Sequence, residues 1–314
     1  MVLFTANRLN VFTLLSAGPG SADEVAQECG AHPRPMAMLL NACVAQGLLR
    51  REDGRYANAA AAEAFLVQGQ PGYLGDALKY SDDLYPVWGR LAETVGSNSL
   101  SIPAETILGA DPEKTRNFVL GMHNRARGVA ACLARSLDLR GRKRLLDVGG
   151  GPGTYAILLV SQTPGLSATV LDLPAVVAIG KEIIASSGCG DRIEAVAGDY
   201  ALTPFPGGYD VVLMSGILHR ETPERCRRLL TKAFDALRAG GLAVVSDVFF
   251  EDEARDSPPF ATLFALNMLL TSEHGSAHAK TEMARWMAEA GFLGVEARPL
   301  PPPMPHTLVL GAKP

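Results

Sequence analysis

A glycine-rich loop is the first segment whose residue types and spacing predict chemistry. The stretch LLDVGGGPGTYA, residues 145–156, passes from an apolar run through Asp147 into a loop that contains Gly149 and Gly151. Glycines allow a sharp turn and let a ligand lie against the main chain. The dinucleotide-binding fingerprint needs a further glycine at position 154, where this chain has threonine. An acid two residues before the first glycine repels a pyrophosphate and attracts a cation, so the motif favours a ligand that carries an ammonium group.

Two more acids follow short aliphatic runs. Asp172 lies in TVLDLP, and Asp199 lies in VAGDY. A carboxylate at the first position can accept both hydroxyls of a ribose, and one at the second can accept from an adenine amino group. Either acid alone is equally well explained as a turn or helix-capping residue. Ligands of open parallel sheets bind outside the carboxyl ends of the strands, so we expect Asp147, Asp172 and Asp199 to converge on one crevice.

The stretch MSGILHRETPERC contains a candidate general base, His219. Histidine titrates at about 6.5 when unperturbed, which suits proton abstraction near neutrality. Alternatively, His219 only ends the strand on which we expect it to lie. Arg220 leaves two options open: if it points inward, it disfavours a protonated histidine or holds an anionic substrate, and if it points outward, it is a solvated charge. Thr222 or Glu221 is expected to cap the next helix, which Pro223 opens.

The second half of the chain alternates aliphatic runs with helical patterns, which predicts an α/β domain with a largely parallel sheet. The last two strands are joined by PPPMP, which leaves no room for a helix, so they are expected to pair antiparallel. The seven predicted strands are RLLDVGG, SATVLDL, IEAVAGDY, YDVVLMSG, LAVVSDVF, GVEARPL and TLVLGAK.

The first part of the chain is predicted to be mainly helical. Ser21 is placed to cap one helix, and Asp53 with Gly54 forms the turn of a short hairpin. Three helices followed by such a hairpin are the element order of a winged helix. We therefore predict two domains, residues 1–105 and residues 106–314.

The motifs LLDVGGGPG, DLP, GDY and ILHRETPERC, together with the winged-helix segment, resemble S-adenosylmethionine-dependent O-methyltransferases of the plant caffeate and bacterial small-molecule type. The resemblance covers essentially the whole chain. It implies a class I methyltransferase domain with a Rossmann-like seven-stranded sheet, an N-terminal dimerisation domain, and S-adenosylmethionine as the cofactor, which leaves as S-adenosylhomocysteine. By the resemblance, Gly149, Gly151 and Asp172 hold the methionine and ribose parts of the cofactor, and Asp199 with Tyr200 flanks the adenine. We expect further cofactor contacts from Asp147, Leu173, Gly198, Ser215 and Arg125.

On the acceptor side, the resemblance makes His219 the base that deprotonates a hydroxyl. Its companion carboxylate falls on Asp247, one methylene shorter than the family's glutamate, which puts its reach to His219 in question. The family's second supporting glutamate falls on Ala277, and the family's Asp-Trp after the histidine is Arg-Glu here. The residues expected to line the substrate pocket are Met122, Phe264, Asn267, Met268 and His278, although a loop histidine such as His278 more often faces solvent.

Composition narrows the classes of function. Net charge is −4 and the isoelectric point is about 5.9, which argues against a nucleic-acid partner. Five scattered cysteines without a C-x-x-C pair predict reduced thiols, with neither a disulfide framework nor a metal site. No membrane span or signal peptide is expected. The resulting prediction is a cytoplasmic, homodimeric O-methyltransferase that acts on a hydroxyl of a small aromatic or polyketide-like metabolite.

Three alternatives remain open at this stage. The winged-helix order allows a DNA-binding regulator, although the third helix carries only Arg34 as a basic residue. The altered neighbours of His219 allow a protein that has lost methyl transfer or performs other sulfonium chemistry. Transfer of the methyl group to carbon or nitrogen also remains possible, because those acceptors need a strong oxygen base less.

Overall fold

The computed structural model describes residues 1–99 and 108–314, and it divides into two compact units, Met1–Pro86 and Val87–Pro314. The domain boundary predicted between residues 105 and 106 falls outside the described residues.

The first unit is a small helical core with one hairpin. Ser21 caps α3 as predicted, because its side chain accepts from the Glu24 amide while the Glu24 carboxylate accepts from the Ser21 amide. Asp53 and Gly54 both have positive φ, 48° and 78°, which suits the tight turn between β1 and β2. The elements in order are α1 (Val2–Arg8), α2 (Val11–Ser16), α3 (Ala22–Glu28), α4 (Pro33–Ala45), β1 (Leu49–Glu52), β2 (Arg55–Asn58), α5 (Ala60–Phe65) and α6 (Gly75–Trp88).

The second unit is built on a seven-stranded sheet, as predicted. All seven predicted strands are present, and the last two pair antiparallel. Their bounds are β3 (Arg144–Val148), β4 (Ser167–Asp172), β5 (Ile193–Ala197), β6 (Tyr209–Ser215), β7 (Leu237–Asp247), β10 (Leu293–Pro299) and β11 (Thr307–Ala312). The order across the sheet is β10-β11-β7-β6-β3-β4-β5, and the five strands from β7 to β5 are parallel.

Helices cover both faces of this sheet. The central strands read as continuous aliphatic runs, because both of their faces are buried in hydrophobic clusters. The helices of the unit are α7 (Leu91–Ser97), α8 (Pro112–Ser136), α9 (Thr154–Gln162), α10 (Pro174–Ser186), α11 (Pro223–Ala236), α12 (Pro259–Thr271) and α13 (Lys280–Glu289). Thr222, rather than Glu221, caps α11, and Pro223 is its first residue.

A two-stranded parallel sheet that the sequence did not predict lies beyond β7. It pairs β8 (Phe249–Phe250) with β9 (His278–Ala279), which places His278 opposite Phe249. Each strand has only two residues, so neither shows the alternation that identifies a strand. This pairing joins the segment after Asp247 to the segment before α13.

The order in which strands are added reverses about β3: β4 and β5 lie on one side of it, and β6 and β7 lie on the other. Such a switch point opens a crevice at the carboxyl ends of the strands, where ligands of these sheets bind. Of the helices in residues 1–99 and 108–314, none has both the length and the apolar character needed to cross a membrane.

Candidate active site

The glycine loop joins β3 to α9 at the switch point. Gly149 has a φ of +62°, and a Cβ atom there would lie 2.6 Å from Ile217 Cγ2, so a larger residue would be both strained and crowded. Gly151 has a φ of +56°, but a Cβ atom there would meet no protein atom within 4 Å. The main chain at Gly151 therefore borders open space that a ligand can enter.

Asp147 lies beneath this loop and is fully buried. Neither of its carboxylate oxygens has a hydrogen-bond partner among the described residues. Burial raises the pKa of Asp147 to about 7, although the nearby Ala156 amide opposes that rise. Burying a carboxyl group without a hydrogen-bond partner lowers the stability of the folded protein. A ligand that brings a positive charge or a hydrogen-bond donor to this group offsets that loss.

Asp172 ends β4 and faces the same loop. Its Oδ2 atom accepts from the Gly151 amide at 2.7 Å, and its Oδ1 atom accepts from the Leu173 amide at 2.7 Å. Its main-chain oxygen accepts from Gly198 at 2.8 Å, which ties the end of β4 to the segment after β5. The predicted neighbours Gly151, Asp172, Leu173 and Gly198 are thus brought together.

The pKa of Asp172 is raised by burial, and the two amide hydrogen bonds and the Arg220 guanidinium oppose that rise. The electrostatic effect of Arg220 on this carboxylate agrees with the inward option for the arginine. Arg220 is half-buried, so it is not a fully solvated charge.

Asp199 and Tyr200 lie just beyond β5 and take different partners. Asp199 Oδ1 accepts from the Ala201 amide at 2.7 Å. The Tyr200 hydroxyl donates to Glu221 Oε1 at 2.7 Å, and Glu221 Oε2 accepts from Arg225 at 3.3 Å. Sequence reasoning missed this link, because nothing in the spacing connects residue 200 with residue 221.

His219 lies close to Asp247, with Nδ1 at 2.7 Å from Asp247 Oδ1. The main-chain amide of His219 also donates to Asp247 Oδ2 at 3.3 Å. The shorter aspartate side chain therefore reaches the histidine. One expectation is corrected: β6 ends at Ser215, and His219 belongs to a single 3-10 turn, Leu218–Arg220, instead of ending the strand. Gly216 adopts a positive φ of 69° just after the strand, which ends the extended run early.

The Asp247 carboxylate is buried yet remains an effective partner for a cation. Burial alone would raise the pKa of Asp247, but the His219 imidazole, His306 and the Val248 amide together bring it below its usual range. Since Nδ1 of His219 is bonded to the carboxylate, Nε2 is the ring nitrogen left to take a proton. Phe264 packs its ring against the imidazole in a T-shaped contact, with centroids 4.8 Å apart.

The other predicted acceptor-side residues lie on α8 and α12 or beside β8. Met122 is half-buried on α8, and Met268 is buried on α12. Asn267 Oδ1 accepts from the Trp88 indole at 3.2 Å. His278 differs from the solvent-facing expectation: it is 4% exposed, and its Nε2 donates to main-chain oxygens.

Two further predicted cofactor contacts lie on β6 and α8. Ser215, the last residue of β6, is half-buried, and its hydroxyl has no hydrogen-bond partner within the described ranges. Arg125 is exposed on α8. In the described part of the chain, no group of three or more histidine, cysteine, aspartate and glutamate side chains is arranged so that it could hold a metal ion.

A sheet of this order, with a glycine loop after its central strand and acids at three neighbouring strand ends, defines a class I methyltransferase fold. Residues 90–293 match the O-methyltransferase domain family, and residues 1–68 match the O-methyltransferase dimerisation domain family.

Curated relatives and a solved structure agree with these matches. The chain is 36% identical over 315 residues to 3-hydroxy-5-methyl-1-naphthoate 3-O-methyltransferase of Streptomyces sahachiroi, covering 99% of this chain and 91% of the relative. It is 35% identical over 317 residues to the tetracenomycin polyketide synthesis 8-O-methyl transferase TcmO of Streptomyces glaucescens, covering 99% and 92%. The crystal structure of human N-acetylserotonin methyltransferase in complex with S-adenosylmethionine matches with a TM-score of 0.90 at 26% identity, covering 99% and 93%.

The chain belongs to the O-methyltransferase family whose members pair this catalytic domain with an N-terminal dimerisation domain.

Proposed function

We propose that this enzyme transfers the methyl group of S-adenosylmethionine to a phenolic hydroxyl of a polyketide-derived aromatic compound, with His219 as the general base. The observation that carries the base assignment is the 2.7 Å contact between His219 Nδ1 and the buried Asp247 carboxylate. The substrate class is supported by the two bacterial relatives, one named for a hydroxynaphthoate and one for a polyketide.

The cofactor fits the residues present around the glycine loop. Its ammonium group would offset the unpartnered Asp147, and its amino-acid part would lie in the open space beside Gly151. Asp172 would take the ribose hydroxyls with the acceptor capacity that its two amide bonds leave unused. Leu173, Gly198, Asp199, Tyr200, Ser215 and Arg125 remain further proposed contacts. Bound there, the cofactor supplies an electrophilic methyl group.

The residues of the chain then position the acceptor and move one proton. Asp247 holds His219 with Nδ1 protonated, which leaves Nε2 as the base. As the hydroxyl gives its proton to Nε2, the imidazole becomes cationic, and the buried Asp247 stabilises that charge. Phe264 borders the histidine and would lie against an aromatic acceptor, with Met122, Asn267 and Met268 as further proposed pocket residues.

The dimerisation-domain match over residues 1–68 supports a homodimer. All five cysteines are free, which fits the proposed location in the reducing cytoplasm. We propose a small hydroxylated molecule as the substrate, and neither nucleic acid nor membrane as a partner.

Methyl transfer from isotope-labelled S-adenosylmethionine to 3-hydroxy-5-methyl-1-naphthoate and to hydroxylated anthraquinones tests this proposal. We expect a labelled methyl ether as the product, identified by mass spectrometry. Matched amino and non-hydroxylated analogues test the acceptor atom. If label appears only on nitrogen or carbon and never on oxygen, the acceptor is not a hydroxyl. Loss of label as methanol or no transfer at all would sink the proposal.

Replacement of His219 by alanine tests the base directly. We expect turnover to fall by about 100-fold or more, the scale of a lost general base, because the Asp247 carboxylate is buried and is not available to take the proton directly. Calorimetry should show unchanged S-adenosylhomocysteine binding, since the imidazole is bonded to Asp247 and not to the glycine loop. Unchanged turnover would mean that His219 is a structural residue of its turn.

A further inference from the structure

One short segment holds the main chain of the turn that carries His219. Residues 272–278 donate hydrogen bonds to the carbonyl oxygens of four consecutive residues, 218–221. The bonds are His278 Nε2 to Leu218 O at 3.0 Å, Ser276 N to His219 O at 2.8 Å, Ser272 Oγ to Arg220 O at 3.5 Å and His278 Nε2 to Glu221 O at 3.2 Å. Of the side chains in this segment, that of His278 bonds to the first and the last of these four carbonyls.

The protonation state of His278 follows from these contacts. A carbonyl oxygen only accepts, so Nε2 must carry the proton. Nδ1 has no hydrogen-bond partner among the described residues, and a proton there would place a charge in a buried site. Burial also lowers the pKa of His278, which keeps the ring neutral near pH 7. The imidazole is therefore a neutral donor aimed at Leu218 O and Glu221 O.

His278 is itself fixed by its surroundings. The buried Trp286 packs against its ring in a T-shaped contact at 5.1 Å, and Cys226 Sγ lies 3.4 Å from Nε2. Its main chain pairs with Phe249, two residues after Asp247. The same residue thus joins the turn that carries His219 to the strand end that carries Asp247.

We propose that His278 is a positioning residue: by holding the carbonyls of Leu218 and Glu221, it sets His219 against Asp247 and toward the acceptor. The inference rests on the proposed base role of His219. The turn is a single 3-10 turn with little support of its own, and a displacement of about 1 Å in a reacting group can cost up to 100-fold in rate. This role replaces the predicted substrate contact, since Nε2 is already bonded to two carbonyl oxygens.

Two amide replacements form a matched pair. In His278→Gln the side-chain amide can lie where Nε2 lies and donate to both carbonyls. In His278→Asn the shorter amide stops near the position of Nδ1. His278→Ala removes the donor altogether. We expect the asparagine and alanine variants to lose turnover by about 10- to 100-fold, and the glutamine variant to stay within about threefold of the unchanged enzyme.

Hydrogen–deuterium exchange of the peptide that spans residues 216–222 gives a readout that needs no acceptor. Arg220 and Glu221 donate their amides within the turn, to Ile217 O and Leu218 O. We expect their exchange to accelerate by about 10-fold or more in His278→Asn and to recover in His278→Gln. Equal exchange in the two variants overturns the proposal, even if His278→Ala fails to fold.

A double-mutant cycle separates positioning from general damage. With 3-hydroxy-5-methyl-1-naphthoate as the acceptor, His278→Asn should cost less than about twofold when His219 is already alanine, because a positioning effect exercised through His219 has no further effect once it is gone. S-adenosylhomocysteine affinity should stay within about twofold throughout. An equal loss in both backgrounds overturns the inference while leaving the proposed function intact. If His219→Ala alone changes nothing, the base role has failed, and the inference falls with it.

Discussion

At the residue scale, the acid beneath the glycine loop shows how a binding site can lower the stability of the protein when no ligand is bound. Asp147 is buried without a hydrogen-bond partner among the described residues, and its pKa is raised to about 7. For the free protein, this means that the contribution of Asp147 to stability is fully present below the ordinary pKa of the group and is lost as pH rises through about 7. A bound ammonium group reverses the balance by favouring the ionised carboxylate.

We therefore predict that cofactor affinity depends on pH near neutrality. Below about pH 7 the free protein carries a proton on Asp147, and binding must release it. S-adenosylhomocysteine affinity should therefore fall by up to about tenfold for each unit by which the pH is lowered. Calorimetry in buffers of different ionisation enthalpy measures the released proton. Asp147→Asn should bind more weakly and lose this dependence over the same range. A pH profile that is the same in both proteins would contradict the role given to Asp147.

At the residue scale the sequence supplied candidates such as His219 and Asp247, which the structure brings into contact. The pairing of His219 with Asp247 was predicted from the family resemblance. Whether the shorter aspartate side chain could reach His219 depended on where β7 ends, which only the structure shows. By contrast, the link from Tyr200 to Glu221 and the contacts of His278 join residues far apart in the chain. No local pattern encodes them, so they could not be predicted.

At the scale of elements, the loop between β3 and α9 depends on main-chain conformations that glycine adopts easily. Gly151 and Gly188 form an informative pair, because both have positive φ, +56° and +75°, and a Cβ atom at either would meet no protein atom within 4 Å. They differ in location: Gly151 borders the proposed cofactor space, whereas Gly188 follows the end of α10.

Alanine at these two glycines should have equal effects on stability and different effects on binding. Each substitution should lower the free energy of unfolding by about 1 kcal/mol through backbone strain, measured by urea denaturation. Only Gly151→Ala should weaken S-adenosylhomocysteine binding, by about 10-fold or more, because its methyl group enters the space proposed for the ligand. Equal affinity of the two variants would place the cofactor elsewhere.

The elements themselves were largely predictable. The seven strands of the main sheet were read from aliphatic runs, and Ser21 and Pro223 marked helix starts through capping chemistry. The segments that the sequence missed include α1, which makes four helices before the hairpin instead of three, the 3-10 turn at His219 and the pairing of β8 with β9. The turn and the two strands are too short for periodicity and are held by tertiary contacts.

At the scale of the whole molecule, the chain has two compact units, and its N-terminal 68 residues match a dimerisation domain. The apolar third helix predicted for this region, α4, buries Met36, Leu40 and Cys43 in the core of the first unit. Such a helix offers few groups for a nucleic acid to contact, and the net charge of −4 opposes phosphate binding as well.

We predict a homodimer of twice 33.2 kDa in solution. Sedimentation at micromolar concentration should give one species of that mass at both low and high salt, because burial of apolar surface is less sensitive to salt than charge pairing. Filter binding should detect no salt-dependent affinity for random duplex DNA. A monomer, or tight duplex binding, would overturn this assignment of the N-terminal unit.

The sequence by itself determined the class of this protein, because the glycine loop, the acids after β-branched runs and the helix caps are local signals with local physical causes. Only the tertiary structure decided how the proposed base is held. The contact of Asp247 with His219 and the hydrogen bonds of His278 to the Leu218 and Glu221 carbonyls depend on where distant segments meet. These tertiary contacts follow from the packing and burial of the whole chain, and the spacing of residues along the sequence does not predict them.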